Sequence, residues 1–177
     1  MLMVPLMIET IYKRIRAAGK DLPPEVIYQK VFGGKLKHIF TGGAHLEDYY
    51  IDEFEKYGIM VLEGYGMSEC SPVISSNRVH SYKKGSIGKP LPNVEIAFDN
   101  GEILVRSSSV MKGYYDMPEE TDTTLKDGWL HTGDKGYIDE DGFLFINGRV
   151  KNLIILSNGE NISPEEIEGK LALNPQI

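Results

Sequence analysis

The sequence has 177 residues, 41% hydrophobic and 25% charged, with 19 basic and 26 acidic residues and a net charge of −7. This is the composition of an ordinary globular chain, one domain or two small ones, and it excludes a disordered protein. The acidic balance argues against a nucleic-acid partner, which asks for a basic face, and a lone cysteine, Cys70, excludes an internal disulfide and a cysteine-rich zinc site.

The opening "MLMVPLMIETIYKRIR" is apolar over too few residues to span a bilayer, contains Pro5 and lacks a basic leader. With no transmembrane segment and no signal, the expected location is cytoplasmic. Leu6, Ile8, Ile11, Tyr12 and Ile15 recur at helical spacing, and Gly19 closes that helix. "LKHIF" at 36–40 is a short strand ending in the glycine turn "TGGA". Residues 46–58 form an amphipathic helix with Leu46, Tyr50, Phe54 and Tyr57 on one face and Gly58 as its C-cap. "IMVLEGYG" at 59–66 is a buried strand running into a loop, so strand, helix and strand predict a right-handed crossover and a parallel sheet.

From residue 84 to 147 the runs "VEIAF", "GEILVR", "GWLHT", "GYID" and "FLFI" are β-prone and separated by turn signals such as "DNGE", "KDG" and "DEDG". They predict a small antiparallel barrel or sandwich, with one short helix over 116–125. Beyond Gly148, "NLIILSNGENIS" reads as a hairpin, and Ser163, Pro164 and Glu166 occupy the N-cap, N1 and capping-box positions of a new helix. The chain thus divides into a partial α/β subdomain (1–83), a β-barrel-like subdomain (84–147), and a hinge with the start of a further domain (148–177).

Four stretches offer chemistry. In "EGYGMSEC" (63–70), two glycines bracket an aromatic, then a hydroxyl and a carboxylate follow. Tyr65 is placed to stack on a base, Ser68 to meet a phosphate, and Glu69 to hold Mg²⁺ through oxygen. In isolation the same letters describe an ordinary strand-to-loop turn, and neither a dinucleotide fingerprint nor a P-loop of the usual kind is present. "TGGA" (41–44) lies where open α/β sheets bind ligands, or is a simple turn. Asp134 of "HTGD" could take two ribose hydroxyls, or be a solvated turn residue. Arg149 and Lys151 of "NGRVKNLI" could reach a ribose or phosphate, or form a charged linker. His38, His45, His80 and His131 share no i, i+4 spacing and read as structural or surface residues. Cys70, Tyr114 and Tyr115 read as core.

Taken together and in this order, "VPLMIETIYKRI", "TGGAHL", "GYGMSE", "GEILVRSSSVMKGYY", "GWLHTGD", "GRVKNLI" and "SNGENISPEEIE" resemble the signatures of the adenylate-forming acyl-CoA synthetases, most closely those of the long-chain fatty-acid CoA ligases. Ser68 stands where threonine is usual, Ser107 where glycine is common and Asn152 where aspartate is frequent. The resemblance implies a fragment of the adenylate-forming fold and a two-step reaction: a fatty acid attacks ATP to give an acyl-adenylate, and coenzyme A then displaces AMP. It also implies that Gly43, Ala44, Gly64, Tyr65, Gly66, Met67, Ser68, Asp134, Ile146 and Arg149 form the nucleotide site, with Glu69 as the Mg²⁺ ligand and Ser68 beside it in catalysis. Lys151 would be the hinge of a rotating lid, and the loop of Ser157, Asn158 and Gly159 would face coenzyme A. The family's upstream phosphate loop and downstream lid lysine have no counterpart in the 177 residues, so the chain alone is expected to be inactive. The alternatives are a non-catalytic adenine-nucleotide-binding module and a split fragment needing a partner chain. Self-association through uncovered core is a further expectation.

Overall fold

The computed structural model describes residues 1–19, 22–150, 154–155, 161–162, 164 and 171. A first sheet runs in the order β1 (Leu2–Met3), β2 (His38–Thr41), β3 (Met60–Gly66), β4 (Val73–Ser76) and β5 (Lys89–Pro90). Its first three strands are parallel, with Ile39 beside Val61 and Thr41 beside Glu63, and the last two join antiparallel. The parallel pairing expected from strand, helix and strand is therefore present.

Three helices accompany this sheet: α1 (Pro5–Gly19), α2 (Pro24–Phe32) and α3 (Asp48–Lys56). Ile8, Tyr12 and Ile15 of α1 and Tyr50, Ile51 and Phe54 of α3 meet Ile39 and Val61 in one buried cluster. Strand alternation explains why Ile39 is buried while Phe40 is exposed. Tyr12, Tyr49 and Tyr50 contact one another edge to face, and Phe32, Phe54 and Tyr57 form a second aromatic group. The amphipathic face read from residues 46–58 is the buried one, although Tyr57 rather than Gly58 is the C-cap; Gly58 follows with φ +73°.

A second sheet has the order β10 (Leu144–Arg149), β9 (Trp129–Ile138), β7 (Glu102–Ser107) and β6 (Val94–Asp99), with β8 (Leu125–Lys126) also pairing to β9. All its pairs are antiparallel, as the turn-punctuated runs predict. The runs "GWLHT" and "GYID" are one continuous strand, not two. The short helix α4 (Pro118–Thr124) falls inside the span expected for it. Val94, Ile103, Val105, Leu130 and Leu144 face inward onto Tyr65, Cys70 and Ile74, so the second sheet closes over the end of the first. Two short strands, β11 (Ile154–Ile155) and β12 (Asn161–Ile162), pair antiparallel as the expected hairpin requires. The hinge Lys151, the loop residues Ser157, Asn158 and Gly159, and the N-cap Ser163 lie outside the described residues.

Candidate nucleotide site

The end of β3 carries the first half of the site. Tyr65 points into the second cluster and is 9% exposed. The chain then turns tightly: the Met67 N–H donates to the Pro72 carbonyl (2.8 Å), and a single 3-10 turn, Ser68–Cys70, sets Ser68 outward and buries Cys70. Burial pushes the Cys70 thiol up, which fits an inert packing role.

The second half comes from β9 and β10. The Tyr65 hydroxyl donates to Asp134 Oδ2 at 2.6 Å, although 69 residues separate them. Arg149 Nε donates to Asp134 Oδ1 at 2.9 Å, from the residue directly opposite in the β9–β10 register. Asp134 is 8% exposed. Burial, then the bond to Asp134, hold the Tyr65 phenol well above its ordinary range, so it keeps its proton and acts as a donor. Three residues chosen from sequence are thereby joined in one polar chain, buried at Tyr65 and Asp134 and open to solvent at Arg149. Each Asp134 oxygen has two acceptor positions, so the carboxylate can still accept further hydroxyl donors.

Glu69 lies one turn beyond Tyr65. Its Oε1 accepts from the Tyr114 hydroxyl (2.7 Å) and its carbonyl from the Met111 N–H (2.8 Å). That bond to Glu69 is the first cause of a raised Tyr114 pKa. The core reading of Tyr114 and Tyr115 is therefore corrected: Tyr114 is a half-buried ligand of a carboxylate, and Tyr115 is 97% exposed. Nothing local marked Tyr114, because its partner is 45 residues away; the available signal was its place in "GEILVRSSSVMKGYY", one of the stretches that carry the family resemblance.

The "TGGA" loop reaches the same place. A Cβ on Gly42 would sit 2.7 Å from the Gly64 carbonyl, so only glycine lets the two segments touch. Gly43 and Ala44 are exposed just beyond it, while Gly64 and Gly66 pair with Ser76 and Val73. Met67 packs half-buried on the second cluster. Ile146 continues the inward face of Leu144 along β10 but is 39% exposed. An apolar side chain left open there suits the face of a base.

One group was not anticipated. Burial, with the Asp48 charge adding, pushes the Glu63 carboxyl up to about 8. In register beside it, the Thr41 hydroxyl is buried and has no hydrogen-bond partner among the described residues. Tyr82 is pushed up to about 12, first by burial and then by Glu55, Glu63, Asp48 and Asp52.

The residues present fit an adenosine phosphate with Mg²⁺. A buried aromatic joined to a carboxylate suits a nucleoside. Among the described residues no three His, Cys, Asp or Glu side chains form a metal cage. A single carboxylate such as Glu69 suits Mg²⁺, which keeps waters and phosphate oxygens as its other ligands.

Comparison with known proteins points the same way. Residues 1–115 match the family described as AMP-binding enzyme. A long-chain-fatty-acid–CoA ligase of Bacillus subtilis is 43% identical over 150 residues, covering 77% of this chain and 27% of that protein. Among solved structures, o-succinylbenzoate CoA synthetase (MenE) from Bacillus subtilis in complex with the acyl-adenylate intermediate OSB-AMP superposes with a TM-score of 0.80 at 30% identity, over 98% of this chain and 35% of that one. The same synthetase in complex with ATP and magnesium ion gives 0.78 at 31%, over 98% and 36%. The chain thus spans about a quarter to a third of the length of the proteins it matches.

Proposed function

The chain belongs to the AMP-binding enzyme family, and from that premise we propose that it supplies the nucleotide-facing part of an AMP-forming fatty-acyl-CoA ligase. The observation that carries this reading is the Tyr65–Asp134–Arg149 chain, which joins β3 to β9 and β10. Tyr65, with most of its ring packed in the second cluster, would meet adenine only through its remaining exposed edge, beside Gly64, Gly66 and Ile146. Asp134 would take the ribose hydroxyls, with Arg149 fixing its second oxygen. Ser68 would meet a phosphate, Glu69 would hold Mg²⁺, and Gly43 and Ala44 would line the junction of nucleotide and acyl groups.

In the reaction a carboxylate attacks the α-phosphate of ATP, releasing pyrophosphate, and the thiol of coenzyme A then displaces AMP from the acyl-adenylate. Mg²⁺ supplies charge neutralisation on the phosphates. The residues described here orient the nucleoside and hold the metal's carboxylate in place. The fatty-acid substrate follows the 43% identical relative, while the solved neighbours act on an aromatic acid, so acyl identity is the finer part of the proposal. Lys151 as lid hinge and Ser157, Asn158 and Gly159 as the coenzyme A loop rest on the motif resemblance. No helix among the described residues is long and apolar enough to cross a membrane, and the cytoplasm is the expected compartment.

Calorimetry with AMP tests the site. The 177-residue chain should bind AMP, and Asp134→Asn should weaken that binding about tenfold or more, since a charge-assisted acceptor is lost. No heat at millimolar AMP would overturn the reading. In pyrophosphate exchange the same chain should show no turnover, with fatty or aromatic acids alike.

A further inference from the structure

Asp134 sits on an irregularity in β9. On β7, Glu102 pairs with Lys135 and Leu104 with His131, so two steps on one strand face four on the other. Three residues, Thr132, Gly133 and Asp134, thus stand opposite the single Ile103 as a bulge with two extra residues, and bulges re-aim side chains. A bulge leaves backbone groups unpaired, yet four of the groups here have a partner outside the ladder. The Thr132 hydroxyl donates to the Ile103 carbonyl at 2.8 Å and accepts from the Asp134 N–H at 3.1 Å. The Gly133 carbonyl accepts from the Val150 N–H at 2.8 Å.

One side chain spans the bulge. Glu102 Oε1 accepts from the Gly133 N–H at 2.9 Å, and Glu102 Oε2 meets His131 Nδ1 at 3.0 Å. Both oxygens of Glu102 are committed to the residues that precede Asp134. We propose that Glu102, with His131, is the positioning brace that aims Asp134 at Tyr65, acting through the Thr132–Gly133 backbone and never on the nucleotide itself. Its value for ligand binding rests on the nucleotide reading above; the brace does not. Because a carboxylate only accepts, the contact requires a proton on His131 Nδ1. Through the Gly133–Val150 bond the brace also reaches the end of β10, beyond Arg149, so the aim of Asp134 and the course of the chain at Val150 are set together.

Residue-resolved NMR on the 177-residue chain decides this without any ligand. In the wild type, His131 should carry its proton on Nδ1. In Glu102→Gln, the side-chain amide can still accept from Gly133 but donates toward His131, so the proton should move to Nε2. In Glu102→Ala, hydrogen exchange at the Gly133 and Asp134 amides should speed about tenfold or more, while Val105 and Leu130 keep their rates. AMP affinity should fall about tenfold in Glu102→Ala and less in Glu102→Gln. If Glu102→Ala fails to fold, the tautomer of His131 in Glu102→Gln still decides. A wild-type His131 protonated on Nε2 alone, or unchanged exchange at Gly133 and Asp134, overturns the brace. Absence of AMP binding by the wild type, with the exchange and tautomer results as expected, overturns the ligase reading and leaves the brace standing.

Discussion

The two clusters of this chain are built from different materials. The first, between α1, α2, α3 and the parallel strands, is dominated by large aliphatic and aromatic groups such as Ile8, Ile51 and Phe54. The second, under the antiparallel sheet, is surrounded by buried polar side chains: Ser75, Asn77, Ser86, Thr132 and Asp134. Apolar packing is non-directional and tolerates small shifts, whereas hydrogen bonds fix distance and angle. The first region thus stores stability, and the second stores geometry. The candidate site lies in the second.

Breaking the first region should give the largest effect. Phe54 is fully buried and touches both aromatic neighbours, Phe32 and Tyr57. Phe54→Ala should cost about 3–5 kcal/mol in urea unfolding, and the molecules that stay folded should keep their AMP affinity. The second region should answer differently. Asn77 donates to the Ser86 carbonyl (2.6 Å) and accepts from the Lys83 N–H (3.0 Å), tying down the segment before β5. Asn77→Ala leaves the buried Ser86 carbonyl and the half-buried Lys83 N–H without this partner and should cost about 2 kcal/mol, with a lower protection of the Lys83 amide as its local signature.

The border between the regions should show a pH dependence. Glu63 ordinarily titrates near 4.5 and is raised to about 8 when folded. Between those values the folded chain holds a proton that the unfolded chain has lost. Stability therefore falls as pH rises through that window, by at most about 1.4 kcal/mol per pH unit. Glu63→Gln should flatten the slope, and a variant more stable than wild type at pH 8 is the result to look for. The smallest effect belongs to the outer face of the second sheet, where Arg106 lies 4.0 Å over the Trp129 ring and 3.4 Å from Glu95. Arg106→Ala should change stability by only about 0.5 kcal/mol, because both contacts are solvent-screened.

Much of this contrast was legible in the sequence, and unevenly so. The helix carrying Tyr50 and Phe54 announces itself because four apolar residues share one face. The helix α2 was missed because only Ile27 of its nine residues is buried, too little for a stripe. The strands β4 and β5 escaped notice because four and two residues carry no period. In β9 the glycine of "HTGD" suggested a turn between two strands, and it is a bulge within one. Tyr65, Asp134 and Arg149 were found as motif letters, but the bonds among them were not legible, since contact across 69 residues leaves no local trace. Glu102 and Tyr114 were missed for the same reason: each acts on another side chain, and such a role has no composition of its own.

The Tyr65–Asp134 hydrogen bond carries an entropic consequence. Both side chains are buried and hydrogen-bonded within the fold, so the fold, rather than an incoming ligand, absorbs the loss of their freedom. Immobilising such groups at the moment of association would weaken affinity by about 0.5–1.5 kcal/mol each. Under the nucleotide site proposed above, selectivity would come from shape: a guest lacking vicinal hydroxyls would meet an arrangement that cannot relax around it.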